Sequence, residues 1–252
     1  PQLMMLSGLG EATQLRAHGI TVALDLPGVG QNLQDHLAIG VGFERKVSGP
    51  LANALRLDRI AWAFLRAYLT GSGVASNIPG GPMALLRTSP EQPVPDLQFA
   101  FRAIARDAAP WFPGLGRRWR DMSMFLPALL HPQSRGSVTL ASGDPFMSPR
   151  IQPNFLAVDA DIQPLLKGIR MAREVAGQPA LQGFLGNEVF PGGGVTAEEA
   201  LRGYIRNTAG TFHHVCGTCR MGSDDQAVVD AALRVRGLQG LRVVDASVLP
   251  DL

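Results

Sequence analysis

The densest concentration of reactive side chains lies between Thr211 and Gly222, TFHHVCGTCRMG, where two histidines, two cysteines and an arginine stand among apolar neighbours. Three chemistries compete for this stretch. Thiolates of Cys216 and Cys219 with the imidazole of His213 or His214 are zinc-ligand types, but adjacent histidines tend to point apart and no distant ligand pair accompanies them. No metal is expected here. The spacing Cys216, Gly217, Thr218, Cys219 is that of a redox dithiol; such a pair belongs at a helix start early in a βαβ unit, whereas this one lies late in the chain. The third chemistry makes one histidine a general base, since imidazole is unprotonated near neutral pH yet basic enough to take a proton from an alcohol. Gly217 nearby would let a bulky planar cofactor approach the backbone. On the residues alone a base and a structural histidine pair both remain open.

Elements must position that segment. Glu11 to His18 is expected as a short helix closed at Gly19, followed by a strand from Ile20 to Leu26. Pro27 to Gly30 reads as a tight turn, and Asn32 to His36 as a loop or helix start. From Ile39 the apolar period becomes two, with Ile39, Val41 and Phe43 on one face. The same alternation recurs at Leu97, Phe99 and Phe101, at Met122, Met124 and Leu126, and at Val138 and Leu140, predicting an antiparallel sheet buried on one side. Leu57, Ile60, Ala61, Phe64, Leu65 and Tyr68 form a helical stripe suited to core packing, and Ile162 to Ala176 form a second. Thr196 and Glu199 are placed as a capping box for a helix running to about Asn207. Ser72 to Pro82, Ser89 to Pro95 and Gly192 to Gly194 read as loops.

Composition narrows the class. Among 252 residues, 23 Lys plus Arg against 21 Asp plus Glu leave a net charge of +2, which argues against a nucleic-acid or membrane-surface partner. At 46% hydrophobic and 17% charged the chain is too apolar for disorder, and with 29 Gly and 19 Pro too turn-rich for a helical bundle. Two cysteines make no disulfide framework, so a cytoplasmic location is the default expectation. No uninterrupted apolar run approaches the roughly 18 residues of a spanning helix, so no transmembrane segment is expected. A chain that starts at Pro1 and stops at Leu252, directly after an apolar run, reads as a fragment.

A family resemblance adds to this. HHVCGTCRMG together with LRVRGLQGLRVVDASVLP resembles the C-terminal region of the glucose-methanol-choline (GMC) oxidoreductases, flavoenzymes that oxidise alcohols, with the closest agreement to the choline dehydrogenase and alcohol dehydrogenase branch. PQLMMLSGLG resembles the family's second signature, LPGVGQNLQDH the segment after it, and SRGSVTLASGDPFMSPRIQPNFL its substrate-domain strands. Val215 and Cys216 replace the usual Pro and Val, so Cys216 is an extra thiol, whereas Cys219 is the usual one and mainly structural. GVGQNL lacks the third glycine of a dinucleotide fingerprint and follows Leu26 and Pro27, so Gly28 and Gly30 are not assigned to pyrophosphate.

The resemblance implies an α+β and α/β architecture: part of an FAD-binding, Rossmann-like domain in residues 1–37, an antiparallel substrate-binding domain in 38–195, and a flavin-domain and active-site segment in 196–252. It implies His214 as the catalytic base, with His213 its internal rival, hydride transfer from the carbinol carbon to FAD, and a small-molecule alcohol or choline as substrate. Asp245 and Ala246, at the end of an LRVVDA strand, match positions that approach the flavin, with Asn32 and Asp35 as further cofactor-binding candidates. A second catalytic Asn or His would fall just beyond Leu252, and the 252 residues alone are expected to be inactive. Trp62, Tyr68, Trp111 and Trp119 are candidate walls for a choline ammonium group, with core packing the expected role of Trp62 and Tyr68. His36 is expected as a packed, hydrogen-bonded histidine, and Arg135 and Arg220 as ion-pair or backbone partners. The rival functions are a binding scaffold that kept the substrate domain and a thiol redox protein using Cys216 and Cys219.

Overall fold

The computed structural model describes residues 1–76, 81–105, 107–114 and 119–252. Contacts divide it into two units: residues 1–37, 129–163 and 210–252 form one, and 38–128 with 164–209 the other. These contact units break after residues 37, 128, 163 and 209. Residues 129–163 group with the first unit because Val138 donates its amide to the Gly30 carbonyl and Arg135 Nε donates to Asn32 Oδ1 at 3.0 Å. Residues 196–209 group with the second because Tyr204 Oη donates to the Gly40 carbonyl at 2.6 Å.

The second unit is built on antiparallel pairing. Its strands are β1 (Val41–Arg45), β2 (Met83–Leu86), β3 (Leu97–Arg102), β4 (Met122–Leu129) and β5 (Leu185–Phe190), in the order β5–β1–β4–β3–β2. Val41 stands opposite Phe125 and Phe43 opposite Ser123, and Phe190 faces Gly42. Alternation was expected to bury one face. The structure buries both along β4, where Met122, Ser123, Met124 and Phe125 are all closed to solvent. On the odd face Phe125 meets the rings of Phe43, Phe99 and Phe101. On the even face Met122 and Met124 join Trp119, Ala52 and Ala105 in a core.

Helix α2 (Ile162–Ala176) covers the odd face. Its stripe of Leu165, Leu166, Ile169 and Ala172 is at most 1% exposed. Gly168 is required there, since a Cβ would come within 2.5 Å of Pro127. At its far end Arg173 forms a fork onto Glu188 with two 2.9 Å bonds, anchoring β5. Helix α1 (Leu57–Thr70) has a similar apolar pattern but the opposite fate: Trp62 is 66% exposed and Tyr68 88%. Only Ile60, Ala63 and Ala67 turn inward, so all of the expected core stripe but Ile60 faces outward. Helix α3 (Glu198–Thr208) ends where expected but begins at Ala197 with no side-chain cap, so the Thr196–Glu199 box does not form. The expected loop from Ser72 to Pro82 contains a short turn at Val74–Ser76; residues 77–80 of it lie outside the described residues.

The first unit has little regular structure. A helix over Ala12–Ala17 starts where Glu11 accepts the amides of Thr13 and Gln14, and it closes at Gly19 with φ +71°. The expected strand from Ile20 to Leu26 shortens to Leu24–Asp25, paired in parallel with Leu9–Gly10. Ser137–Thr139 and Arg150–Gln152 make a small antiparallel pair. Met5, Leu9, Leu15, Val29, Val228 and Val248 lie in its core.

Candidate functional site

The histidine segment is fixed by contacts from two stretches of the same unit. The first is Asn32–His36. Asp35 is 4% exposed, and one of its carboxylate oxygens accepts the His214 amide at 2.9 Å while the other accepts the Thr211 hydroxyl. Thr211 Oγ1 in turn accepts the His213 amide at 3.0 Å. A single buried carboxylate thus sets the backbone before and at His214, and leaving its two partners unmatched would be costly. Cys216 and Gln34 exchange backbone bonds at 2.9 and 3.1 Å. Gly217 sits at φ +91°, and an added Cβ there would strike the Asn32 carbonyl, so glycine permits close approach of the chain's own backbone.

Asn32 has all its side-chain atoms engaged. Its Nδ2 donates to the Pro250 carbonyl at 3.1 Å, and its Oδ1 accepts from Gln34 at 3.2 Å and from Arg135 at 3.0 Å. Arg135 also pairs with Asp251 at 3.0 Å and bonds the Pro132 carbonyl, the ion-pair and backbone role expected of it. The second flank is the run 245–250. The Gly217 amide donates to Ala246, Cys219 to Ser247 and Met221 to Val248. Asp245 caps the short turn Ala246–Val248 through the Ser247 amide at 2.8 Å, and the Ser247 hydroxyl and amide hold its carboxyl below the usual range. No strand forms over LRVVDA. The segment is extended with one isolated bridge, Arg234 to Arg242, and Val244 is 73% exposed.

The two histidines differ sharply. His213 takes a strained φ of +65°, and its ring is exposed. His214 Nδ1 lies 2.9 Å from Nδ1 of His36, and its ring meets those of His36 and Phe212 edge-on at 5.1 and 5.2 Å. His36 is held below the ordinary histidine range, first by burial and then by the nearby His214, against a smaller upward pull from Asp35. The expected hydrogen-bonded character of His36 is therefore present; its partner was not foreseen. His131, a loop residue, contacts the Leu252 carbonyl at 2.9 Å. Arg220 pairs with Asp224, whose pKa falls to about 2.

The thiols are enclosed. Cys219 Sγ lies 3.7 Å from Met4 Sδ in the apolar core, and burial pushes the Cys216 thiol up, away from thiolate chemistry. Among the described residues no cluster of three metal-ligating side chains occurs. The four aromatic side chains weighed for a cation do not converge: Trp111 and Trp119 donate their indole N–H groups to the Ala52 and Ala109 carbonyls, while Trp62 and Tyr68 stand in solvent. The Gly28–Gly30 turn is filled by protein, since Cβ atoms there would meet the Gln226 and Val138 carbonyls.

Residues 132–252 match the family model described as GMC oxidoreductase. Along the whole chain, alcohol dehydrogenase [acceptor] from Pseudomonas putida is 37% identical over 263 residues, covering 100% of this chain and 45% of that protein. Oxygen-dependent choline dehydrogenase from Cronobacter sakazakii is 39% identical, covering 99% of this chain and 44% of its own length. The chain belongs to the GMC oxidoreductase family. It spans under half the length of these curated relatives. The fold agrees: pyridoxine 4-oxidase from Mesorbium loti superposes with a TM-score of 0.79 at 28% identity, over 99% of this chain and 44% of that one. Mixed helices and an antiparallel sheet are thus shared with solved members of the GMC family. Among the described residues no helix is long and apolar enough to cross a membrane.

Val215, next to His214 in the chain, and Val244 and Leu249, on either side of the Asp245–Val248 turn, leave 50%, 73% and 44% of their area open. Exposed apolar side chains bordering a charged turn are an unsatisfied surface that an aromatic cofactor would cover.

Proposed function

We propose that this GMC chain is part of an FAD-dependent oxidoreductase acting on CH–OH donors, an alcohol or choline, with His214 as the base. The observation that carries the reading is the engagement of His214 on two sides. Asp35 holds its amide and His36 holds Nδ1, which leaves Nε2 of an exposed ring as the nitrogen available for an outside proton. An alcohol O–H is barely acidic at neutral pH, so its proton must leave to a positioned base as the carbinol hydrogen departs. FAD, when bound, supplies the acceptor for the two electrons that leave with that hydrogen.

This chain's own residues supply position. Asp245 and Ala246 present the edge on which the cofactor would rest. Asn32 and Asp35, also expected to touch it, serve by holding the segment that carries His214. Orientation matters in proportion to the entropy it removes from the reacting pair.

The test is turnover of the complete, flavin-loaded oxidoreductase that carries this chain, with an alcohol and a dye acceptor. His214→Ala is expected to lower kcat by about two to four orders of magnitude, with flavin content unchanged. An unaltered rate would overturn the assignment. Cys216→Ser is expected to leave turnover within about twofold, as a buried, protonated thiol has no part in the step. A dithiol activity lost in that variant and kept in His214→Ala would favour the thiol reading instead. Anaerobic bleaching of the flavin by an alcohol separates the enzyme from a binding scaffold, which would show no such reduction.

A further inference from the structure

We infer that His36 is a positioning residue for His214: it fixes the tautomer and the ring orientation that the base requires. The inference rests on the proposed role of His214 and goes beyond it, because nothing in that role requires a second histidine.

Two ring nitrogens 2.9 Å apart form a hydrogen bond only if one carries hydrogen and the other presents a lone pair. Two arrangements satisfy this. In one, His214 carries its proton on Nδ1 and donates to His36, which leaves His214 Nε2 unprotonated and able to accept. In the other, His36 donates from Nδ1, and a neutral His214 then holds its proton on Nε2 and is useless as a base. The base role of His214 requires the first. His36 is half-buried, and burial first and the neighbouring His214 second hold it below the ordinary histidine range, which favours the neutral ring that can accept. The charged or titratable groups that face it are His214, Asp35 and His131. The ring of His214 faces His36 and Phe212, and its amide is held by Asp35.

Once His214 has taken a proton at Nε2, the Nδ1–H bond to His36 becomes charge-assisted and stronger. His36 therefore favours the protonated base more than the neutral one, which is the behaviour of a catalytic orienting group.

The experiment is nitrogen-15 NMR of the imidazoles in the full chain, with turnover of the flavin-loaded protein as a second readout. In the unaltered chain His214 is expected as the Nδ1–H tautomer. His36→Leu removes the acceptor, so the tautomer should shift toward Nε2–H and kcat should fall about tenfold, with a changed pH profile of kcat and a smaller change in KM. His36→Asn places an amide oxygen near the old Nδ1 position and should restore the Nδ1–H form and most of kcat. An Nε2–H tautomer in the unaltered chain, or an Nδ1–H tautomer that survives His36→Leu, would overturn the inference. The unaltered chain decides even if the leucine variant does not fold. Should His214→Ala leave turnover unchanged, the base assignment fails by itself, and the NMR still reports on the pair.

Discussion

The sheet of one unit and the histidine segment of the other are both well ordered, but different forces order them. Strand β4 is held by backbone ladders and by apolar cover on both faces, with Met122, Phe125 and Leu129 all closed to solvent. The stretch from Thr211 to Gly217 has almost no ladder. It is held by one buried carboxylate, one asparagine bonded to the Gly217 carbonyl and a histidine, each on particular backbone or ring atoms. Apolar packing tolerates small shifts at a cost in stability, whereas a base must be placed to within tenths of an ångström and is better fixed by directional bonds. The two regions should therefore fail differently when altered.

The largest effect on stability is expected in the sheet unit. Ile169→Ala empties a fully buried site on α2 and should cost about 2–5 kcal/mol in chemical denaturation. Turnover per folded molecule should stay unchanged; a loss of turnover at constant stability would erase the contrast. Asp35→Ala should cost less stability, about 1–3 kcal/mol, because it strands buried donors and leaves no large cavity. Its effect on turnover should exceed that of Ile169→Ala.

A pH dependence sharpens the comparison further. The folded-state pKa of His36 lies below its ordinary 6.5, so the unfolded chain binds the proton first. Stability is then complete above about pH 6.5 and declines as pH falls below it. Melting temperature should drop from pH 7.5 to 5.5, and His36→Asn should flatten that slope; an equal slope in both would show that His36 does not contribute. The smallest effect is expected at α1, where Leu65→Ser removes exposed apolar surface and should change stability by less than about 0.5 kcal/mol.

Legibility in the sequence followed the same division. The sheet and both long helices were visible as periods of two and of three to four. Period reports which residues share a face, and it is silent on whether that face is covered. Leu65 and Ile169 stand in equivalent patterns, yet only Ile169 meets a sheet. Residues 129–163 read as part of the wider substrate-binding span because their strands are short and alternate, while the bonds that tie them to the other unit, such as Arg135 to Asn32 and Leu140 to Gln14, cross 103 and 126 residues. At the site, His214 and its rival His213 were readable from type and context. The His36 contact, 178 residues away, was not, because no local pattern encodes a ring-to-ring bond. Asn32 and Asp35 are expected from the resemblance to approach the flavin, while their bonds to the histidine segment and to Pro250 become visible only in three dimensions.

The central claim is that of two adjacent histidines only His214 does the chemistry. Turnover of His213→Ala and His214→Ala, measured side by side on flavin-loaded protein with one alcohol and one dye acceptor, tests this most directly. We expect His213→Ala within about threefold of the unaltered protein and His214→Ala lower by about two to four orders of magnitude. Equal losses in the two variants, or a larger loss at His213, would contradict the account.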